Sequence, residues 1–196
     1  MKKIFLLLLL PTLLLASCKE EDNSVKEYAN WKEVSEVAFK AKYSAAVAST
    51  TDNIDTIRCY SMTSKTSTVP TDFIVVEKLD RVNELVKSDS PTGSPIFTDS
   101  VAVSYRGRLQ PSPTYAQGFV FDQSFTAKDY NYLTAKPRSF ITSGLVAGFS
   151  TALQHMKVGD HWLVHMPYEL GYNATENTGI PAYSMLTYEI VLEKYW

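Results

Sequence analysis

One stretch constrains this chain more than any other: Gly148 to Tyr172, GFSTALQHMKVGDHWLVHMPYELGY. Phe149, Ala152, Leu153 and Met156 fall at i, i+3, i+4 and i+7, which places one apolar stripe on a helix of about two turns. Val158, Gly159 and Asp160 then stop it, glycine supplying the left-handed position that often closes a helix. In the strand that follows, Trp162, Val164 and Met166 share one face, and His161, Leu163 and His165 the other. So short a helix is stable only when its stripe is buried against something larger. The pattern predicts a plug: one helix filling a small, curved antiparallel sheet, with Phe149 at the base of a pocket.

The rest of the chain supplies the walls. Phe73 to Val76 is a run of strand formers followed by a charged turn, Glu77 to Asp80. Ser90 to Pro95 (SPTGSP) is a loop. Val101, Val103 and Tyr105 alternate with Ala102, Ser104 and Arg106 as a half-buried strand. Phe119 to Asp122 and Arg138 to Ile141 read as short strands. At the end Leu186, Tyr188, Ile190 and Leu192 face one way and Thr187, Glu189 and Val191 the other. Five to six strands and one late helix predict an α+β fold, a curved antiparallel sheet wrapped on one short helix. Before it, Val25 to Ala48 has helical spacing, with Trp31, Val34, Ala38, Ala41, Ala45 and Ala48 on one line. Tyr28, Phe39 and Tyr43 lie off that line, so the helix is expected to pack on more than one side, against its own domain or a second copy. Residues 49–71 read as a linker with at most one short strand. The expected organisation is 1–17 leader, 18–24 tether, 25–71 helix and linker, and 72–196 the main domain.

The leader is a basic start at Lys2 and Lys3, an apolar run from Ile4 to Leu15, and small residues before Cys18. The run is shorter than the roughly 20 residues of a membrane-spanning helix. Leu15-Ala16-Ser17-Cys18 resembles the lipobox of bacterial lipoproteins. That resemblance implies cleavage before Cys18, lipidation of its thiol and new amino group, and a mature protein held in the bacterial cell envelope, at the outer membrane, on its periplasmic or surface side. With two cysteines in the chain, lipidation leaves Cys59 without a disulfide partner; it reads as a small half-buried hydrophobe. The formal charge is −2, more negative once Lys2 and Lys3 are lost, and no basic stripe of the kind nucleic acid demands is visible.

Most catalytic constellations are excluded. His161 and His165 would pair on a helix, but on a strand they sit roughly 13 Å apart at about 3.3 Å per residue, too far for one metal. Gly107 to Pro111 is not a phosphate loop, and no nucleophile–base arrangement appears. Asn173-Ala174-Thr175 fits a glycosylation sequon, a coincidence in a chain exported by a bacterial signal. No metal or cofactor is expected.

The motifs that remain occur in one order. Val101 to Leu109 (VAVSYRGRL) resembles the V-x-V-x-Y-x-G-x-L strand of FKBP-type peptidyl-prolyl isomerases, and Phe121 to Ser124 (FDQS) their F-D-S-S. Leu145 to Phe149 (LVAGF) resembles V-I-x-G-W, and Met156 to Gly159 (MKVG) resembles M-x-x-G. Leu170 to Tyr172 (LGY), Ile180-Pro181, and Leu186 to Leu192 (LTYEIVL) resemble the family's ending. The resemblance runs from about Asp72 to the C-terminus.

It implies a proline pocket made of Tyr105, Phe121, Asp122, Leu145, Val146, Phe149, Tyr172, Ile180 and Tyr188. Phe149 would be the floor and Tyr105, Phe121 and Tyr188 the sides. The Val146 N–H and the Tyr172 hydroxyl would hold substrate carbonyls, and Asp122 would polarise the site. The physics agrees. Peptide rotation crosses a barrier of about 18–20 kcal/mol because resonance stiffens the bond. The twisted state has lost that resonance and is less polar, so an apolar, ring-lined pocket favours it. The X–Pro isomers lie within about 0.5–1 kcal/mol of each other, which makes them the natural substrate. Departures from the family pattern are Phe149 for Trp, Tyr188 for Phe, no Gly after Tyr172, and Arg138 near the place of a wall Phe. Pro111 to Gly118 and Ala127 to Ala135 read as insertions near the pocket mouth. The resemblance therefore implies an isomerase acting on proline-containing polypeptides, or a non-catalytic proline-peptide or chaperone module on the same fold. A homodimer through the N-terminal helix is a further expectation.

Overall fold

The structure, a computed structural model, describes residues 26–62 and 66–196. The expected leader, lipidation site Cys18 and tether lie outside them. In chain order the regular elements are α1 (Trp31–Ala48), β1 (Ile54–Arg58), β2 (Phe73–Lys78), β3 (Ser100–Arg108), β4 (Val120–Gln123), β5 (Arg138–Ile141), α2 (Ala147–Leu153), β6 (His161–Met166) and β7 (Leu186–Tyr195). The strands join one antiparallel sheet in the order β1-β2-β6-β7-β3-β4, with β5 also paired to β3. This is the expected α+β architecture, with a seventh strand. The seventh is β1, the one short strand for which the reading of residues 49–71 left room, where Ile54 pairs with Glu77 and Arg58 with Phe73.

α2 carries the predicted stripe. Phe149, Ala152, Leu153 and Met156 are all at most 3 % exposed and pack in the main core with Trp162, Val164 and Ile190. The helix stops at Leu153, earlier than Gly159. Side chains satisfy its last carbonyls: the Gln154 amide donates to Ser150 O at 3.1 Å, and His155 Nδ1 lies 2.8 Å from Thr151 O. Gly159, at φ 87°, instead turns the exiting chain into β6.

The sheet is covered on both faces. Ile74, Val75 and Val76 are consecutive and all buried, although successive strand residues point to opposite sides. Ile74 and Val76 meet the α2 side, while Val75 meets Phe39 and Ala46 of α1. Of the predicted α1 stripe only Trp31 is buried and Ala38 half-buried. Trp31, Ser35, Phe39 and Ala46 face the sheet, and Val34, Ala41, Ala45 and Ala48 face outward. Two aromatic rings bury far more apolar area than a row of alanines, and buried area decides which face docks. Trp31 also donates from Nε1 to the buried Ser184 hydroxyl at 2.7 Å. The helix begins at Trp31 rather than Val25 because Asn30 sits at φ 52°, a left-handed residue that does not continue a helix.

Two other expectations are corrected on the α1 side. Glu77 and Lys78 belong to β2, not to a charged turn. Glu77 is fixed there by Lys42 of α1 at 2.9 Å and by His165 of β6 at 3.0 Å. Arg106, only 5 % exposed, is not on a solvated face. Its guanidinium stacks on Phe125 at 4.4 Å and donates to the carbonyls of Ala127 and Lys128. That clamp draws the segment after β4 across the outside of the sheet, where the Tyr130 hydroxyl donates to Glu193 at 3.0 Å. The insertion starting at Ala127 therefore lies away from the pocket mouth. Cys59 is 1 % exposed, more deeply buried than expected.

Candidate active site

The outer edge of β3 is shared between two partners. β4 pairs with Arg106 to Arg108 and β5 with Ser100 to Val103. Tyr105 falls between them, its N–H donating to the Ser124 hydroxyl at 2.9 Å and its carbonyl accepting the Ser124 N–H at 2.8 Å. Two residues on, Gly107 has no side chain for a steric reason. A Cβ there would sit 2.5 Å from the Phe121 ring and 2.7 Å from the Tyr188 ring. The glycine lets both rings lie across β3.

These rings and the turn before α2 enclose a cavity of about 200 Å³ lined by Tyr105, Asp122, Phe140, Gly144, Leu145, Val146, Phe149, Tyr172 and Tyr188. Phe149, 3 % exposed, forms its base. Tyr188 stands edge-on to it at 5.0 Å and Tyr105 at 6.1 Å. Phe140 meets Tyr105 at 5.8 Å, and Phe121 meets Tyr188 at 5.5 Å from behind. Such edge-to-face pairs add to the stability of the ring cluster and hold its walls in place. The Val146 N–H, at the start of α2, has no intrachain acceptor among the described residues.

Polar atoms gather at the rim. The Tyr105 hydroxyl donates to Asp122 Oδ2 at 2.6 Å. Arg138 Nη1 donates to Asp122 Oδ1 at 3.0 Å and to the Tyr105 oxygen at 2.8 Å, and Nη2 to Gln123 O at 2.9 Å. Burial, then the Asp122 hydrogen bond, raises the Tyr105 phenol above its usual pKa, so it is a neutral donor. Tyr188 is raised chiefly by burial and then by the neighbouring Tyr172.

Of the residues named from sequence, Tyr105, Asp122, Leu145, Val146, Phe149, Tyr172 and Tyr188 line one cavity. Phe121 supports it, while Ile180 lines a neighbouring groove. Arg138, expected among the substrate-binding residues, is outside that lining and braces the rim as an ion pair with Asp122. Sequence reading missed Phe140 and Gly144. Phe140 was legible by period, two residues after Arg138 on the same strand. Where the sequence lacks a glycine after Tyr172, Asn173 takes the left-handed conformation at φ 59°, which asparagine tolerates better than most residues. Among the described residues no three His, Cys, Asp or Glu side chains gather to hold a metal.

Fold, ring-lined cavity and motif order define one class: the chain belongs to the FKBP-type peptidyl-prolyl cis-trans isomerase family, whose family model matches residues 94–193. It is 35 % identical over 100 residues to a macrophage infectivity potentiator of Trypanosoma cruzi, covering 50 % of this chain and 44 % of that protein. It is 33 % identical over 99 residues to the FKBP-type 22 kDa peptidyl-prolyl cis-trans isomerase of Escherichia coli, covering 50 % and 42 %. The chain thus spans less than half the length of these curated relatives. Among solved structures, FkpA from Escherichia coli superposes with a TM-score of 0.52 at 22 % identity, covering 85 % of this chain and 63 % of that one. A peptidyl-prolyl isomerase from Pseudomonas syringae gives 0.51 at 22 % identity, covering 82 % and 95 %.

Proposed function

We propose that this protein is a peptidyl-prolyl cis-trans isomerase acting on X–Pro bonds of exported polypeptides. The proposal includes anchoring through lipid on Cys18 at the outer membrane of a bacterial envelope, and pairing with a second copy through α1. The observation that carries the activity is the cavity over Phe149, walled by Tyr105, Phe140 and Tyr188. A prolyl ring seated on Phe149 leaves its imide among aromatic faces that do not solvate a planar, polar amide as water does. The twisted imide has little resonance and loses less by that transfer, so the barrier falls. The free N–H of Val146 is the donor for a substrate carbonyl, and the Tyr172 hydroxyl is a second. Asp122 fixes the Tyr105 ring through the phenol. No residue forms a covalent bond, and none needs to change protonation.

One feature favours the non-catalytic alternative: Arg138 already neutralises Asp122. Turnover separates the two. The chain from Lys19 onward is expected to accelerate cis-to-trans conversion of a Leu-Pro or Phe-Pro tetrapeptide above the uncatalysed rate, which takes tens of seconds. A rate equal to buffer, with the peptide still bound, would leave a binding module.

A further inference from the structure

Beside the prolyl cavity lies a second, open hollow of about 360 Å³, lined by Tyr28, Tyr115, Phe119, Glu176, Ile180 and Pro181. We propose that it is a specificity subsite, which takes an apolar or aromatic side chain of the client polypeptide about three residues from the proline. The inference rests on the isomerase reading and extends it to sequence preference.

Two of the segments that wall it are not used by the prolyl cavity. The stretch before α1 supplies Tyr28, seated edge-on against Trp31 at 4.9 Å. The insertion 111–118 supplies Tyr115, edge-on to Phe119 at 5.0 Å and itself 40 % exposed. Glu27 ties the two together: its carboxylate accepts the Thr114 N–H at 3.1 Å and the hydroxyls of Ser112 and Thr114. The insertion is closed on itself by paired hydrogen bonds of 3.1 Å between Ser112 and Tyr115. The hollow is therefore formed before any ligand arrives, which lowers the ordering cost of binding. Its base is Ile180, 4 % exposed.

Phe121 joins the hollow to the active site. One side of its ring meets Tyr188 of the prolyl cavity at 5.5 Å. Its Cβ lies 3.9 Å from the point where a side chain on Gly179, in the hollow, would begin, and the Phe119 ring 3.1 Å from that point. Gly179 keeps the space open there. Ring centroids step 5.0 Å from Phe149 to Tyr188 and 5.5 Å from Tyr188 to Phe121, so a polypeptide that leaves a proline on Phe149 and follows those rings past Phe121 spends about three extended residues at about 3.3 Å each. That length and the ring-rich walls identify the occupant as the client's own flank rather than a free small molecule.

The test uses fluorescence anisotropy with labelled twelve-residue peptides holding one central proline. One carries Phe three residues before the proline, one carries Phe three residues after it, and one carries Ser at both places. One of the two Phe peptides is expected to bind the wild-type chain about five-fold more tightly than the Ser peptide. Tyr115→Ser should abolish that preference and Tyr115→Phe should keep it, with melting temperatures checked to exclude unfolding. Equal affinity of the three peptides for wild type, or a preference that survives Tyr115→Ser, overturns the subsite. Turnover of a proline tetrapeptide, too short to reach Tyr115, reports on the prolyl cavity alone. Phe preference without tetrapeptide turnover would sink the isomerase reading and leave the subsite standing; turnover without preference would do the reverse.

Discussion

Asp122 divides its two carboxylate oxygens between neighbours of different kinds. Oδ2 accepts the Tyr105 phenol, which lies inside the cavity, and Oδ1 accepts the Arg138 guanidinium, which lies outside it. The ion pair is exposed, with side chains 50 % and 46 % accessible, so it contributes less than about 1 kcal/mol to stability. The phenol bond matters more for the site, because it sets the angle of a ring that walls the prolyl seat. Asp122→Ala is therefore expected to lower kcat/KM about ten-fold, the loss of one charge-assisted hydrogen bond felt in the transition state. The melting temperature should move little. A rate within two-fold of wild type would remove Asp122 from the catalytic set. Most of this site was legible because its residues sit in short motifs with fixed internal spacing. Phe140 was legible only through strand period, two residues on from Arg138, because its strand carries no motif.

Between elements, the tie that fixes α1 to the sheet is a polar chain: Lys42 on α1, Glu77 on β2, His165 on β6 and Thr187 on β7. His165 Nε2 lies 3.0 Å from Glu77 and Nδ1 lies 2.9 Å from the Thr187 hydroxyl. A neutral imidazole fits both, donating from Nε2 and accepting at Nδ1. The Glu77 carboxyl is pulled down to about 2, first by the His165 hydrogen bond and then, against the penalty of burial, by Lys42. His165 is lowered from 6.5, burial outweighing the opposing pull of Glu77. Both folded values lie below the unfolded ones, so in each case the unfolded chain binds the proton first as pH falls. His165 begins to cost stability below about 6.5, its unfolded pKa. Glu77 adds to the loss below about 4.5 and towards 2. Thermal unfolding should show a melting temperature that declines steadily from pH 7 to pH 3, and His165→Gln should flatten the part between pH 6.5 and 4.5. A melting temperature constant from pH 7 to pH 4 would show that the chain of bonds carries no net stability. None of this was visible in the sequence, because Glu77, His165 and Lys42 meet only once two strands and a helix are in register.

At the scale of the whole molecule, the sheet, its plug and the helix before them were readable from alternation and helical period, whereas the buried face of that helix and the pairing of β1 were not. β1, with the sequence IDTIR, offers two apolar residues among three polar ones and gains its strand identity from β2 alongside it. α1 misled for the opposite reason, since it is apolar on two sides. Its aromatic side, Trp31 and Phe39, is spent on the sheet; its small-residue side, Val34, Val37, Ala41 and Ala48, follows a heptad-like spacing and faces outward. Val34 is 39 % exposed and Val37 63 %. Spacing of that kind suits a second helix packed in parallel or antiparallel, which is the basis for pairing two copies through α1. An 18-residue helix is about 27 Å long, and one face of it offers less than the roughly 800 Å² per partner of a standard interface. The proposed pairing is therefore expected to be weak, with a dissociation constant of about a micromolar or above. Sedimentation velocity across a concentration series should show a monomer–dimer equilibrium that Val37→Glu shifts to monomer without changing the melting temperature of the monomer. A wild-type chain that stays monomeric at a hundred micromolar or so would mean that the outward face of α1 meets solvent and that the protein acts as a single copy.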